Sequence, residues 1–406
     1  MRRISHWPVL ALCALALISA RSDAQATLRT ILARGENLAE SKRRLAKGDA
    51  GLKASYDALV SSAGKALAAE PMSVMQKKRT PSSGTKHDYM SMAPYYWPDT
   101  TKPNGLPFLS RDGEMYPESR LDHDGLRMQQ TIARAKTLSY AWYFTGDVRY
   151  AEGAAKILRI FFLDSATRMN PNLQFAQAIM GVSEGRSFGL IDSRTVPDLV
   201  DAVRILEDSP AWTRQDDAVM TSWCRQFMTW MLESKNGREE RATTNNHGVF
   251  YDEQVASLAL FVGDSAIARE ILGTSARARI ASQIDSAGKQ QRELARTRPL
   301  HYTLFNIEAF TMLAELARHV DGDLWHYAAN TGGSIERAIR FAAPYADSRL
   351  VFPSKDITPV GADAFLVPLR RAAAAYHDRE LSHDVEQLPM VLRTSDLSRF
   401  EFPDQP

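Results

Sequence analysis

Cysteine is nearly absent from this 406-residue chain, which holds only two, Cys13 and Cys224. Cys13 falls in an apolar N-terminal run of the kind removed on export, so Cys224 is left alone and no intramolecular disulfide is expected. After that run no apolar stretch is long enough to cross a bilayer, and no low-complexity linker divides the chain. The formal net charge is only +2. Affinity for a polyanion therefore has to come from a local basic cluster and not from a global field, which argues against nucleic acid as a partner. There is no phosphate-cradling Walker loop, no dinucleotide fingerprint, no HExxH and no GxSxG elbow. No close His/Cys/Asp grouping has zinc-ligand spacing, so neither a metal nor a cofactor is expected. Strand signals are sparse: alternating β-branched runs are short, and no hairpin dipeptide joins two of them.

What is present begins with a leader. Arg2 and Arg3 precede an apolar run from Trp7 to Ile18, followed by small residues at Ser22, Ala24 and Ala26. That order predicts a cleavable secretory signal over residues 1–26, cut near Ala24 or Ala26. Leu12 is too bulky before Cys13 for a lipoprotein cleavage site. The expected product is a single periplasmic or secreted domain over 27–406, monomeric or dimeric, whose core stands in for disulfides.

Apolar residues at three- and four-residue spacing predict helices along most of the chain. The predicted spans are Leu28–Lys47, Ala54–Ala69, Gly125–Thr145, Arg149–Phe162, Thr195–Ser209, Thr213–Ser234, Gln254–Val262, Ser265–Gly273, Ala276–Thr297, Leu304–Val320, Gly333–Pro344 and Ala362–Tyr376. Gly146 with Asp147, Asp264 and Pro344 supply stop and start signals. Two long irregular stretches interrupt them, Met72 to Asp124 and Ser165 to Asp192. The first is too aromatic for a disordered segment, and loops of that length in a compact domain are usually functional. Helical hairpins joined by long loops on one side predict an all-α, incomplete (α/α) toroid whose loops build a cleft.

Several clusters carry chemistry. Asn245-Asn246-His247-Gly248 pairs side-chain amides, which hydrogen-bond a carboxylate, with an imidazole that accepts or relays a proton; the same residues also suit a helix cap. Arg292, Arg296 and Arg298 crowd His301 and Tyr302, with Pro299 breaking the helix between them. Arginine beside tyrosine is expected to lower the phenol pKa, as a general base requires; the alternative is a solvated basic helix face. Lys86, His87, Tyr96 and Trp97 fall in the aromatic loop, where ring faces either stack on sugars or pin the loop to the core. Lys102 and Arg111 add charge there. Gln177 and Arg186 lie in the second loop; Arg186 either grips a carboxylate or pairs with Glu184 or Asp192. Paired carboxylates for glycoside hydrolysis, drawn from Asp122, Asp124 and Glu253, are a competing arrangement.

Taken in order, these motifs resemble the alginate lyase superfamily. The likeness is carried by Asn245-Asn246-His247-Gly248 and the stretch His301-Tyr302-Thr303-Leu304-Phe305-Asn306. It is sharpened by Tyr95-Tyr96-Trp97-Pro98-Asp99, Asp112-Gly113-Glu114, Pro117-Glu118-Ser119, Met169-Asn170-Pro171-Asn172-Leu173 and Ala176-Gln177-Ala178. Together they look most like the periplasmic enzymes that cleave mannuronan or glucuronan, polysaccharide lyase family 38. The resemblance implies a toroid with a cleft at one end and an acidic polysaccharide as substrate. It also implies that Asn246 and His247 neutralise the substrate carboxylate while Tyr302 moves the proton. An arginine before the tyrosine assists, with Arg298 favoured over Arg296. Asn245, His301, Arg296, Arg292, Gln177, Arg186, Tyr96, Trp97, His87 and Lys86 are the expected substrate-binding set. A toroidal glycoside hydrolase or a non-catalytic glycan-binding protein are the alternatives.

Overall fold

The computed structural model describes residues 28–121, 124–347 and 350–403; the leader expected over 1–26 and Asp122 lie outside the described residues. The fold is an all-α, incomplete (α/α) toroid. Its inner row runs in chain order through Asp124–Thr145, Val196–Leu206, Asn246–Val262, Pro299–Ala317 and Asp363–Tyr376, each packed on the next. Ala50–Ala68, Val148–Leu158, Arg214–Glu233, Ile335–Ala342 and Arg379–Gln387 form the outer layer against them. The sequence encodes this division. Asn246–Val262 and Pro299–Ala317 are buried along nearly their whole length, as helices apolar on all sides must be. Ile335–Ala342 buries only Ile335, Ala338, Ile339 and Ala342, one stripe at helical spacing. Between the first and last inner helices, the C-terminal turn Ser398–Glu401 packs on Gly35–Ala46 and Ala50–Ala68. Buried Glu401 there takes a hydrogen bond from Tyr140 (2.7 Å) and pairs with Lys136 (2.8 Å).

Several helix boundaries differ from expectation, each for a local reason. Residues 28–34 are not helical. The Leu32 and Ala33 N–H groups (3.1 and 2.7 Å), with that of Ile31, donate to the buried carboxylate of Asp201. Arg318 donates to the carbonyls of Ile31 (2.8 Å) and Ala33 (2.9 Å), so the segment has partners on both sides. The predicted helix Ala276–Thr297 splits into Ala276–Gln283 and Gln291–Leu294. Asp285 turns the chain by accepting the N–H groups of Ala287 and Lys289, both at 2.9 Å. Two helices start earlier than predicted, at Asn246 and at Pro299, and this places both chemical motifs in first turns. The expected cap at Asp264 is present, accepting from the Ile267 N–H at 3.1 Å.

The two irregular stretches are ordered and joined to each other. Met90–Met92 pairs in parallel with Phe175–Ala178, and Tyr96–Trp97 pairs antiparallel with Leu109–Ser110. The Phe108 N–H donates to the Met180 carbonyl at 2.9 Å. Together they form one wall over the end of the inner helices.

Replacing Asp201 with Ala is expected to leave three buried N–H groups without an acceptor, each costing about 1–3 kcal/mol. Thermal denaturation followed by circular dichroism should show a clear fall in Tm; an unchanged Tm would mean the segment is held by other contacts.

Candidate active site

Asn245 stands at the N-cap of the helix Asn246–Val262, yet its side chain makes no capping hydrogen bond, and its Oδ1 is buried without a partner. The position is a cap; the side chain is not used as one. Asn246 is 1% exposed. Its backbone N–H (2.7 Å) and Nδ2 (2.8 Å) both donate to the carboxylate of Glu293, itself buried. Burial raises the Glu293 pKa, and the two bonds from Asn246 pull it part of the way back. His247 is held on two sides. Its Nδ1 lies 2.6 Å from Oε1 of buried Glu240, and its ring packs at 4.4 Å against Phe188. Gly248 completes the motif for a steric reason. A Cβ there would sit 2.5 Å from the Thr243 carbonyl and closer still to the Arg279 guanidinium. Arg279 is paired with buried Asp252 and donates at 2.9 Å to the carbonyls of Thr243 and Arg241, fixing the chain that leads into the motif.

The second motif opens the helix Pro299–Ala317 with Arg298 as N-cap and proline in the first turn, where its missing N–H costs nothing. The cap is supplied from elsewhere: Asp356 accepts the N–H groups of Leu300 (3.2 Å) and His301 (3.3 Å). Tyr302 is buried and donates its hydroxyl to the Tyr95 hydroxyl at 2.9 Å. The Arg296 guanidinium lies 3.8 Å from the centroid of the Tyr302 ring. Arg296 lowers this phenol pKa, as expected, but it is outweighed. Burial, and then the Tyr95 hydroxyl beside it, push the phenol well above its ordinary value, and the Arg296 charge offsets only part of that. Arg296 is committed elsewhere as well, its Nε donating to Asp112 at 3.1 Å and its Nη2 bonding the other oxygen. Gly113, at φ +75°, lets the Asp112 turn lie against Thr297, whose Oγ1 would be 2.4 Å from any Cβ. Arg298, by contrast, makes no ion pair among the described residues, and its Nε is buried without a partner. His301 stacks on Phe305 at 5.9 Å, and burial, followed by the charges of Arg298, Arg296 and Arg194, lowers its pKa to about 4.

The second loop completes the surround. Arg186 donates to Gln177 Oε1 at 2.8 Å, and Gln177 Nε2 donates to Asp192 Oδ1 at 2.9 Å. The direct pairing of Arg186 with Glu184 or Asp192 is thus replaced by a bridge through Gln177, because Glu184 instead bonds Ser82. Gln177 adopts φ +49°, a left-handed conformation rare for a residue with a side chain. The Arg186 guanidinium lies 5.1 Å from the ring centres of both Tyr96 and Phe188.

The contacts fall into two connected groups. From His247 they pass to Phe188, Arg186 and Tyr96, whose chain neighbour Tyr95 accepts from Tyr302 under Arg296, while Glu293, three residues before Arg296, holds Asn246 beside His247. Asn246, His247, Arg296, Tyr302, Arg186 and Tyr96 are thus brought into one neighbourhood, with Gln177 bonded to Arg186 and the His301 ring beside Tyr302. Other expected residues are placed differently. The His87 imidazole bonds the Arg168 carbonyl at 2.7 Å, and the Lys86 backbone carbonyl accepts from buried Lys77. Trp97 donates to the Glu114 carbonyl at 2.9 Å and packs on Tyr116 at 5.1 Å, pinning the loop. Arg111 covers the Trp97 ring, Lys102 faces Asp99 at 3.7 Å, and Arg292 is exposed on its short helix. Asp124 is buried against Lys77 at 2.8 Å, and Glu253 is buried within the inner row, so they do not form a pair of cleft carboxylates. Glu240, Glu293 and Asp356, which hold the motif residues, were not singled out from the sequence. Among the described residues no group of three or more His, Cys, Asp or Glu side chains could hold a metal ion.

Comparison with known proteins follows this geometry. The profile described as "Alginate lyase" matches residues 73–352. Among solved structures, an alginate lyase from Bacteroides ovatus is 33% identical with a TM-score of 0.87, covering 93% of this chain and 100% of that one. A variant of alginate lyase A1-III complexed with tetrasaccharide is 16% identical with a TM-score of 0.58, over 95% of this chain and 99% of the other. Alginate lyase A1-III from Sphingomonas species A1 is 14% identical with a TM-score of 0.50, over 86% of this chain and 95% of the other. These last two likenesses concern the fold. No curated protein sequence matches the chain.

Gly248→Ala is expected to displace Arg279 from Asp252 and to destabilise the fold by about 1–3 kcal/mol, the usual cost of overpacking. A urea titration that matches the wild type would refute this account of the glycine. His301 gives a pH signature. Its folded pKa of about 4 lies below the unfolded value of 6.5, so its stabilising effect is complete above 6.5 and is lost as pH falls toward 4. Tm measured across that window should fall less steeply in His301→Gln than in the wild type.

Proposed function

The chain belongs to the alginate lyase family, and on that premise we propose that it cleaves a β-1,4-linked uronate polymer by syn β-elimination, leaving a 4,5-unsaturated uronate end. Mannuronan or glucuronan is the substrate in this reading, as in the polysaccharide lyase family 38 enzymes that the motifs resemble. The observation that supports it is the chain of contacts that brings Asn246 and His247 into one neighbourhood with Tyr302.

The C5 proton of a uronate is only weakly acidic because removing it places a second negative charge beside the carboxylate. Catalysis must neutralise that carboxylate before the proton leaves. Arg298 is the arginine free to do so, since Arg296 is already held by Asp112. Asn246 spends one amide hydrogen on Glu293 and keeps the other for a substrate oxygen. His247 Nε2 is the ring nitrogen left for a ligand, because Nδ1 is taken by Glu240. Tyr302 then works with its proton on. Its oxygen takes the C5 hydrogen while its own hydrogen passes to O4, and the bond from O4 to C4 breaks. No free phenolate is required, which accords with the raised phenol pKa. Both transfers occur on one face, matching mannuronate and glucuronate, whose C5 hydrogen and O4 lie on the same side. The Glu240 contact favours a second reading, with His247 as base and Tyr302 as acid on opposite faces, and that arrangement would suit guluronate. The N-terminal leader supports action in the periplasm or outside the cell.

Poly-mannuronate, poly-guluronate, glucuronan and hyaluronan, each incubated with the protein, should separate these readings through ultraviolet absorbance of the unsaturated product. A rise on poly-mannuronate or glucuronan and none on poly-guluronate is expected; no rise on any polymer sinks the lyase reading. Tyr302→Phe should lower kcat by at least about two powers of ten with its circular dichroism unchanged.

A further inference from the structure

Glu240 touches His247 and is assigned no contact with substrate, yet it is among the least exposed acids of the chain, at 1%. It lies at the end of the short helix Lys235–Arg241, and its Oε1 sits 2.6 Å from His247 Nδ1. Its other oxygen, Oε2, is buried with no hydrogen-bond partner. Two other buried acids have a permanent cation: Asp252 has Arg279, and Asp124 has Lys77. The only ion-pair partner of Glu240 among the described residues is His247. A buried carboxylate without compensation is costly, so a single directed contact of this kind is held for what it does to its partner.

We propose that Glu240 is a positioning residue that fixes His247 in its Nδ1–H tautomer, so that Nε2 carries the lone pair toward the cleft. An ionised carboxylate only accepts hydrogen bonds, so the ring nitrogen facing it must be the one that bears the hydrogen. Phe188 on the ring face restricts rotation, and Asn246, tied to Glu293 by two bonds, fixes the backbone from which the imidazole projects. The other charged groups around the imidazole do not compete for Nδ1. Arg186, whose charge reaches Glu240, is a cation with no lone pair for Nδ1 and is bonded to Gln177, and Glu293 is occupied by Asn246. Under the second lyase reading, with His247 as base, on which this part rests, Nε2 takes the C5 hydrogen, and an Nε2–H tautomer would present a hydrogen where that step needs a lone pair. The same constraint holds a histidine by a buried acid in other enzymes, where the wrong tautomer costs activity with little change in geometry.

Glu240→Gln and Glu240→Asp in the full chain test this. Glutamine keeps the volume but can donate as well as accept, so it releases the tautomer; aspartate keeps the acceptor-only carboxylate. Two-dimensional 15N–1H spectra of the imidazoles, assigned with His247→Gln, report the tautomer without reference to turnover. The expected result is Nδ1–H in the wild type and in Glu240→Asp, with Nε2–H appearing in Glu240→Gln. On a polymer that the wild type cleaves, Glu240→Gln should lose at least about tenfold in kcat with KM little changed, and Glu240→Asp should recover most of it. An Nε2–H tautomer in the wild type, or an unchanged Nδ1–H signal in Glu240→Gln, overturns the proposal. If the tautomers behave as expected while no polymer is cleaved, the lyase reading falls and the positioning role stands.

Discussion

Asp112 holding Arg296 is the contact on which the cleft depends. It crosses from the long aromatic loop to the residues that lead into the helix Pro299–Ala317, and so sets one wall against the helical floor. Thr297 reinforces it, donating its hydroxyl to the Asp112 carbonyl at 2.9 Å. Arg296 in turn lies on the Tyr302 ring, so a surface loop governs the electrostatic surroundings of a buried phenol. Arg296 stays protonated despite burial because Asp112, Tyr302 and Glu293 all favour its charge.

Around that contact the acids play an organising part. Glu293 holds Asn246, Glu240 holds His247, Asp356 caps the helix of Tyr302, and Asp252 keeps Arg279 under Gly248. Each accepts from a group that would otherwise turn toward water or toward a substrate. Three of the four, Glu240, Glu293 and Asp252, are buried, and each has a donor within hydrogen-bond distance, which makes their burial tolerable.

The helices were legible because burial of one stripe or of a whole surface imprints apolar spacing on the sequence. The two chemical motifs were legible because amides, histidine and clustered arginines are poor material for helix interiors. What the sequence concealed were contacts between distant segments. Nothing local to Glu240 or Glu293 distinguishes a buried partner from an ordinary surface acid, although Glu240 stands seven residues before His247. The Ala276–Thr297 stretch read as one helix because its spacing survives the Asp285 turn. The effect of arginine on Tyr302 was misjudged because proximity in sequence says nothing of burial, and burial is the larger influence.

Gln177 shows where this chain gives up stability for placement. Its backbone at φ +49° carries strain on the order of 1 kcal/mol or more that glycine would relieve. Glycine, however, would leave Arg186 and Asp192 with no amide between them, and a shorter amide would have to span both distances of 2.8 and 2.9 Å from closer to the backbone. The position thus faces two opposed selective demands, small for the main chain and long for the side chain. Glutamine meets the second at the expense of the first.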